Sequence, residues 1–203
     1  MICIQNLCKS FDDKVIFNDF NIDIADGEFV IFAGNSGCGK TTLLNMIGGI
    51  ENPDKGTICV DGVNICLAKN KKDYFANKVG FLFQNFALLE NKTVRQNLEL
   101  VQKKNRTDHT IPQVLETVGL FDKENTKVYK LSGGEQQRIA LARLMLKKCD
   151  IILADEPTGS LDANNANTVL SILHQLNRQG KTVIIVTHSE KIINSEKKVV
   201  KLG

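Results

Sequence analysis

The sequence predicts an α/β domain whose mostly parallel sheet is covered on both faces and interrupted by a helical block. Three observations predict it. Apolar runs of strand length, such as Ile151-Ile152-Leu153-Ala154 and Val183-Ile184-Ile185-Val186, are too continuous for strands with one wet face. These runs alternate with segments of helical periodicity, the pattern of βα units. From about residue 86 to residue 148 the β-type runs disappear and helical periodicity takes over. A chain of 203 residues, 42% apolar and 24% charged, has ordinary globular composition and room for one domain with an insertion. The expected division is a single domain, with its core over 1–85 and 149–203 and a helical subdomain over 86–148.

In chain order, residues 2–7, 15–20, 22–24 and 28–33 have strand composition, with Asp12-Asp13 and Asp26-Gly27 as turns. A glycine-rich loop follows, then a helical pattern from residue 40 to about residue 50, with Pro53 and Gly56 punctuating its exit. Residues 57–60 and 79–83 read as strands. Helices are expected over 93–104, 111–118 and 134–147. A strand at 151–155, a helix at 164–177, a strand at 182–187 and a last strand at 199–202 complete the pattern.

Composition excludes several classes. No stretch approaches the roughly 18 consecutive apolar residues that span a bilayer, and the first residues lack the basic and apolar regions of a secretory signal. No direct membrane span is expected, so a membrane role would need a partner. The six cysteines, at 3, 8, 38, 59, 66 and 149, contain no CxxC pair and read as reduced cytosolic thiols. A net charge of +3 gives no argument for nucleic acid. Lysines at 69, 71 and 72, at 103 and 104, and at 197, 198 and 201 form a solvated surface or a face near anionic lipid.

The chemistry begins at Gly34-Asn35-Ser36-Gly37-Cys38-Gly39-Lys40-Thr41, which fits the phosphate-loop pattern GxxxxGK(S/T), with Thr42 next in line. Glycines let successive N–H groups turn toward phosphate oxygens, and the following helix points its positive end at the same anion. Lys40 would reach the β- and γ-phosphates, and the Thr41 hydroxyl would meet Mg²⁺. Residues 151–155 end in Asp155 at the C-terminal edge of the sheet, where ligands gather in such folds. Asp155 would hold Mg²⁺, and Glu156 would serve as general base toward the attacking water.

Leu131-Ser132-Gly133-Gly134-Glu135-Gln136-Gln137-Arg138 gives the class: it resembles the LSGGQ-type signature of ABC ATPases. Phosphate loop, signature, acidic strand and a later histidine follow in the order of that family, and the resemblance covers essentially the whole chain. It implies an α/β P-loop NTPase fold with a mostly parallel core sheet, an N-terminal antiparallel β portion and an inserted helical subdomain. It further implies that Phe11 stacks on adenine, where the family more often has tyrosine; the alternative is a core aromatic. Gln84 matches the glutamine that senses Mg²⁺ and the attacking water. His188 matches the switch histidine, although Ser189 stands where many relatives have aspartate. Ser160-Leu161-Asp162 matches the loop that crosses between subunits. The resemblance makes ATP and Mg²⁺ the cofactors and places Ser132, Gly133 and Gly134 of one copy on the nucleotide held by another, in a homodimer.

Ala154-Asp155-Glu156-Pro157-Thr158-Gly159-Ser160-Leu161-Asp162 is similar to the lipoprotein-release, macrolide-export and cell-division group, with likeness to short bacteriocin or antimicrobial-peptide export members. Many relatives carry a further helix where this chain reaches Gly203. The resemblance implies a peripheral protein on the cytoplasmic face of the membrane, bound to a transmembrane permease subunit and powering export of a peptide, lipid-linked or drug-like substrate. The same chemistry would serve mechanical signalling through a partner that transports nothing. Phe86, Leu88 and Leu89 are expected either to line the permease groove or to pack in the helical block.

Overall fold

The computed structural model describes residues 1–203, Ala68 by its backbone alone. β1 (Ile2–Phe11) and β2 (Lys14–Ile24) form an antiparallel hairpin closed by Asp12-Asp13, with Phe11 opposite Lys14. β2 is one strand, not the two expected over 15–20 and 22–24. The polar break between them is a bulge. Asn6 and Asp19 take φ of +50° and +57°, and Asn6 N donates to Asn21 Oδ1 at 2.8 Å. Side chains thus replace the ladder bonds that the bulge removes.

β3 (Phe29–Ala33) leads through the glycine-rich loop into α1 (Lys40–Ile47), which ends earlier than expected because Gly49 turns left-handed at φ +73°. β4 (Lys55–Val60) and β5 (Val63–Asn64) follow. Next come α2 (Ala68–Asp73), continued by a wider turn over Tyr74–Lys78, and β6 (Val79–Leu82). The helical block holds α3 (Val94–Glu99), α4 (Ile111–Thr117) and α5 (Gly133–Leu146). The helix expected over 93–104 stops at Glu99, and its remainder is one tight turn over Lys103–Asn105. The chain closes with β7 (Ile151–Asp155), α6 (Ala163–Arg178), β8 (Thr182–Thr187), α7 (Glu190–Ser195) and β9 (Val199–Lys201). Neither α2, with the polar sequence AKNKKD, nor α7 has enough apolar periodicity to be legible in advance.

Five parallel strands make the central sheet, in the order β6-β7-β8-β3-β9, and a separate antiparallel sheet has the order β2-β1-β4-β5. Alternate residues of the central strands feed two apolar clusters. Ile31, Leu82, Ile152 and Ile185 pack on one face against Leu98, Val114, Leu115 and Leu141 of the helical block. Val30, Phe32, Ile184 and Val186 pack on the other against Leu43 and Met46 of α1 and Ile2, Ile4 and Ile58 of the antiparallel sheet. The helical block therefore shares its core with the sheet. Among the described residues, no helix is long and apolar enough to cross a membrane.

Candidate functional site

Parallel register brings four strand ends to one edge. Ala33 pairs with Thr187, Asp155 with Val186 and Leu82 with Ala154, so the segments that follow β3, β8, β7 and β6 converge there. They enclose a cleft of about 710 Å³ lined by Asn35, Ser36, Gly37, Gly39, Lys40, Thr41, Thr42, Gln84, Asp155, Glu156 and His188, with Ile16 from β2. Ile16 has no polar signal and could not have been singled out from the sequence. Gly39 opens α1 at φ +98°, and a Cβ there would stand 2.3 Å from Ile16 Cγ2. Only glycine fits that turn and that approach. No side chain caps α1, so its first N–H groups are available to an anion.

Lys40 is buried, and its Nζ donates to Gly34 O at 2.8 Å and Asn35 O at 2.9 Å, which holds the ammonium inside the loop. Thr41 Oγ1 donates to Asp155 Oδ1 at 3.3 Å. Burial raises the pKa of Asp155 above the ordinary carboxylate value. The Thr41 bond opposes that rise, the Glu156 charge adds to it and Lys40 lowers it. Among the described residues no group of three His, Cys, Asp or Glu could hold a metal ion. Thr41 and Asp155 are hard oxygen donors and suit Mg²⁺, which keeps waters and phosphate oxygens in most of its positions.

Glu156 follows directly, at φ +42°. This left-handed conformation is costly for a non-glycine residue and persists only where neighbours fix it. Its N–H donates to Val186 O at 2.9 Å. Thr187 Oγ1 donates to Glu156 Oε2 at 2.8 Å, His188 N donates to Oε1 at 3.0 Å, and His188 Nδ1 lies 2.6 Å from the same Oε1. Only 10% of the Glu156 side chain is exposed against 70% for His188, so a buried carboxylate meets an exposed imidazole. Gln84 reaches the cleft from the turn after β6.

The other expected residues lie elsewhere. Phe11 is exposed at the end of β1, outside the cleft lining, with Lys9 Nζ 4.9 Å from its ring centroid. Cys38 lies on the far side of the loop and lines a second depression with Lys201, Leu202 and Gly203. Ser132 caps α5 reciprocally: its Oγ accepts from Glu135 N at 3.3 Å, and its N donates to Glu135 Oε2 at 2.8 Å. Gly133 opens that helix. Gly134 is buried so closely that a Cβ would meet Asn165 Nδ2 at 2.7 Å. Asp162 caps α6 by accepting from Asn164 N at 3.0 Å and Asn165 N at 2.9 Å, bonds that lower its pKa. These four residues lie outside the lining of the cleft.

A groove of about 380 Å³ separates core from helical block, lined by Phe75, Ala76, Phe81, Leu100, Val101, Gln102, Asn105, Arg143, Leu144 and Lys147. Phe86 and Leu88 pack against the core cluster instead, and Leu89 is exposed outside the groove lining. Of the two expectations for these residues, core packing holds for Phe86 and Leu88, whereas Leu89 neither packs there nor lines this groove, which is made by residues far apart in the chain.

Comparison with known proteins gives a consistent result. The family profile described as ABC transporter matches residues 17–159. The macrolide export ATP-binding/permease protein MacB of Campylobacter jejuni is 37% identical over 209 residues, covering 100% of this chain and 33% of that protein. The chain thus spans about a third of the length of that relative. The cell division ATP-binding protein FtsE of Mycobacterium tuberculosis is 37% identical, covering 100% of this chain and 92% of that one. Among solved structures, the dimeric cassette MJ0796 superposes with a TM-score of 0.89 at 33% identity, covering 100% of this chain and 94% of that chain. Its dimeric post-hydrolysis form, bound to ADP and Pi, gives 0.86 at 30% identity, with the same coverage.

Proposed function

Because the chain belongs to the ABC transporter family, we propose that it is the ATP-hydrolysing subunit of an export system, working as a pair with a second copy. The observation that carries this reading is a division within one chain. The phosphate loop, Asp155, Glu156 and His188 share a cleft, while the capped helix starts at Ser132 and Asp162 lie apart from it. Two copies facing each other would complete each cleft with the other's signature, and the dimeric form of MJ0796 supports that arrangement.

The geometry supports the following roles. The loop amides and α1 bind the phosphates, and Lys40 exchanges its carbonyl partners for phosphate oxygens. Thr41 and Asp155 would hold Mg²⁺, which when bound neutralises charge on the phosphates. Glu156 orients the attacking water and takes its proton, with Thr187 and His188 fixing the carboxylate. Gln84 enters from the side of the groove, and Phe11 meets the adenine from the end of β1. The groove beside Arg143 receives the membrane subunit, which would hold this chain at the cytoplasmic face of the membrane. The match to a macrolide exporter supports transport, and the match to a cell-division protein supports a second reading, force transmission through a partner that moves no substrate.

The test is Glu156→Gln. It should retain ATP binding, lower turnover by about 10²–10⁴, and run as a dimer by light scattering only with ATP present. Co-purification of that variant from gently solubilised host membranes should bring down a membrane protein. Recovery of ribosomal or nucleic-acid components alone would overturn the transporter reading.

A further inference from the structure

Arg143 of α5 is a charged, partly buried side chain that the chemistry above does not use, and it lines the groove. Its Nη1 donates to Ala87 O at 2.6 Å and its Nη2 to Phe86 O at 3.1 Å. Burial lowers its pKa, so these two bonds are the compensation for a desolvated guanidinium. Phe86 and Ala87 adopt φ of +62° and +48°, consecutive left-handed positions that residues with a Cβ rarely occupy. Such a conformation persists where the surroundings over-determine it. Here the fork of Arg143 grips both carbonyls of the strained pair.

That strained pair is the exit of the turn carrying Gln84. Phe86 N donates to Phe83 O at 3.0 Å, closing a turn with Gln84 and Asn85 at its centre. The entrance is fixed separately, because the Phe83 ring stacks on Phe81 with centroids 5.0 Å apart and planes 2° from parallel. Gln84 is therefore held between two anchors, an aromatic stack before it and a guanidinium fork after it. Both Phe81 and Arg143 also line the groove.

We infer that Arg143 is a positioning residue for hydrolysis: its two bonds hold the left-handed exit of the turn and thereby set where Gln84 enters the cleft. The inference rests on the reading that Gln84 acts at the cleft. Lysine cannot replace the fork, because a single ammonium lacks the planar pair of donors that spans two carbonyls.

The experiment is a double-mutant cycle on the full chain, comparing Arg143→Gln, Gln84→Ala and the double variant in Mg²⁺-dependent ATP turnover. Affinity for a fluorescent ATP analogue and thermal melting are followed in parallel. Misplacement by a remote substitution costs about 10–100-fold in kcat, with nucleotide affinity within twofold of the parent. The double variant should fall no further than Gln84→Ala alone, since residues acting as one unit are non-additive. Ala87→Gly should restore several-fold of the loss in Arg143→Gln, because glycine takes φ +48° without a clamp. Multiplicative losses, or a kcat that falls only with the folded fraction and is not restored by Ala87→Gly, would overturn the inference. If Gln84→Ala alone keeps parental turnover, the reading of Gln84 fails first and takes the inference with it. Should Arg143→Gln not fold, Arg143→Lys carries the same cycle, with the same outcomes deciding it.

Discussion

At the scale of the residue, the cleft is a place where charge is held against its preference. Asp155 is buried beside Glu156, and its pKa is raised chiefly by burial. At a pH between the unfolded value of 3.8 and the higher folded value, the unfolded chain has lost a proton that the folded chain keeps. Stability from this group therefore falls as pH rises through that window, the opposite of a salt-bridged carboxylate. Asp155→Asn removes both the desolvation and the repulsion. It should melt above the parent without nucleotide near neutral pH, the advantage shrinking on acidification, and should lose stabilisation by Mg²⁺ with ATP. Parallel melting of the two proteins at every pH would remove the linkage. The residues that set this chemistry were readable as types. Their partners were not, because Glu156 meets Thr187 and His188 from 31 and 32 positions away.

At the scale of the element, α5 ties the two halves of the molecule together. Ser132 caps its start, Gln137 Nε2 donates to Pro157 O at 2.8 Å, Arg138 bonds to Asn165, and Arg143 holds the turn after β6. One helix thus touches the loops that follow β6 and β7 and the start of α6. Its cap is legible in the chain itself, as Ser132 and Glu135 stand three apart in a capping box. Ser132→Ala should cost about 1 kcal/mol, a drop of roughly 2–4 °C in Tm for a chain of this size, and should weaken ATP-driven dimerisation as well. A variant with the melting loss and an unchanged dimer would leave Ser132 as a cap alone. Other contacts of α5 follow no sequence pattern, since Arg143 reaches Phe86 across 57 positions.

At the scale of the whole molecule, the proposed docking surface for a membrane partner is the groove between core and helical block. Leu100 lines it and is 53% exposed, while Leu89 is 48% exposed outside its lining. Leu100→Glu should leave folding and basal ATPase intact and abolish co-purification with the membrane subunit. Leu89→Glu should leave both activity and partner largely in place. If Leu89→Glu breaks the complex and Leu100→Glu does not, the docking surface lies on the loop after β6.

The chain by itself determined the α/β class, the phosphate loop, the acidic strand end and the signature. Each is written in neighbouring residues, through side-chain periodicity, turn chemistry or a helix cap. The strand lengths were legible for β3, β7 and β8 because burial on both faces makes them uninterrupted apolar runs. Only the tertiary structure decided the bulge that makes β2 one strand, the parallel register that gathers four strand ends, the groove and the clamp at Arg143. These features depend on which distant backbone groups are left for a side chain to satisfy, and that is settled when the sheet and the helical block close over a shared core.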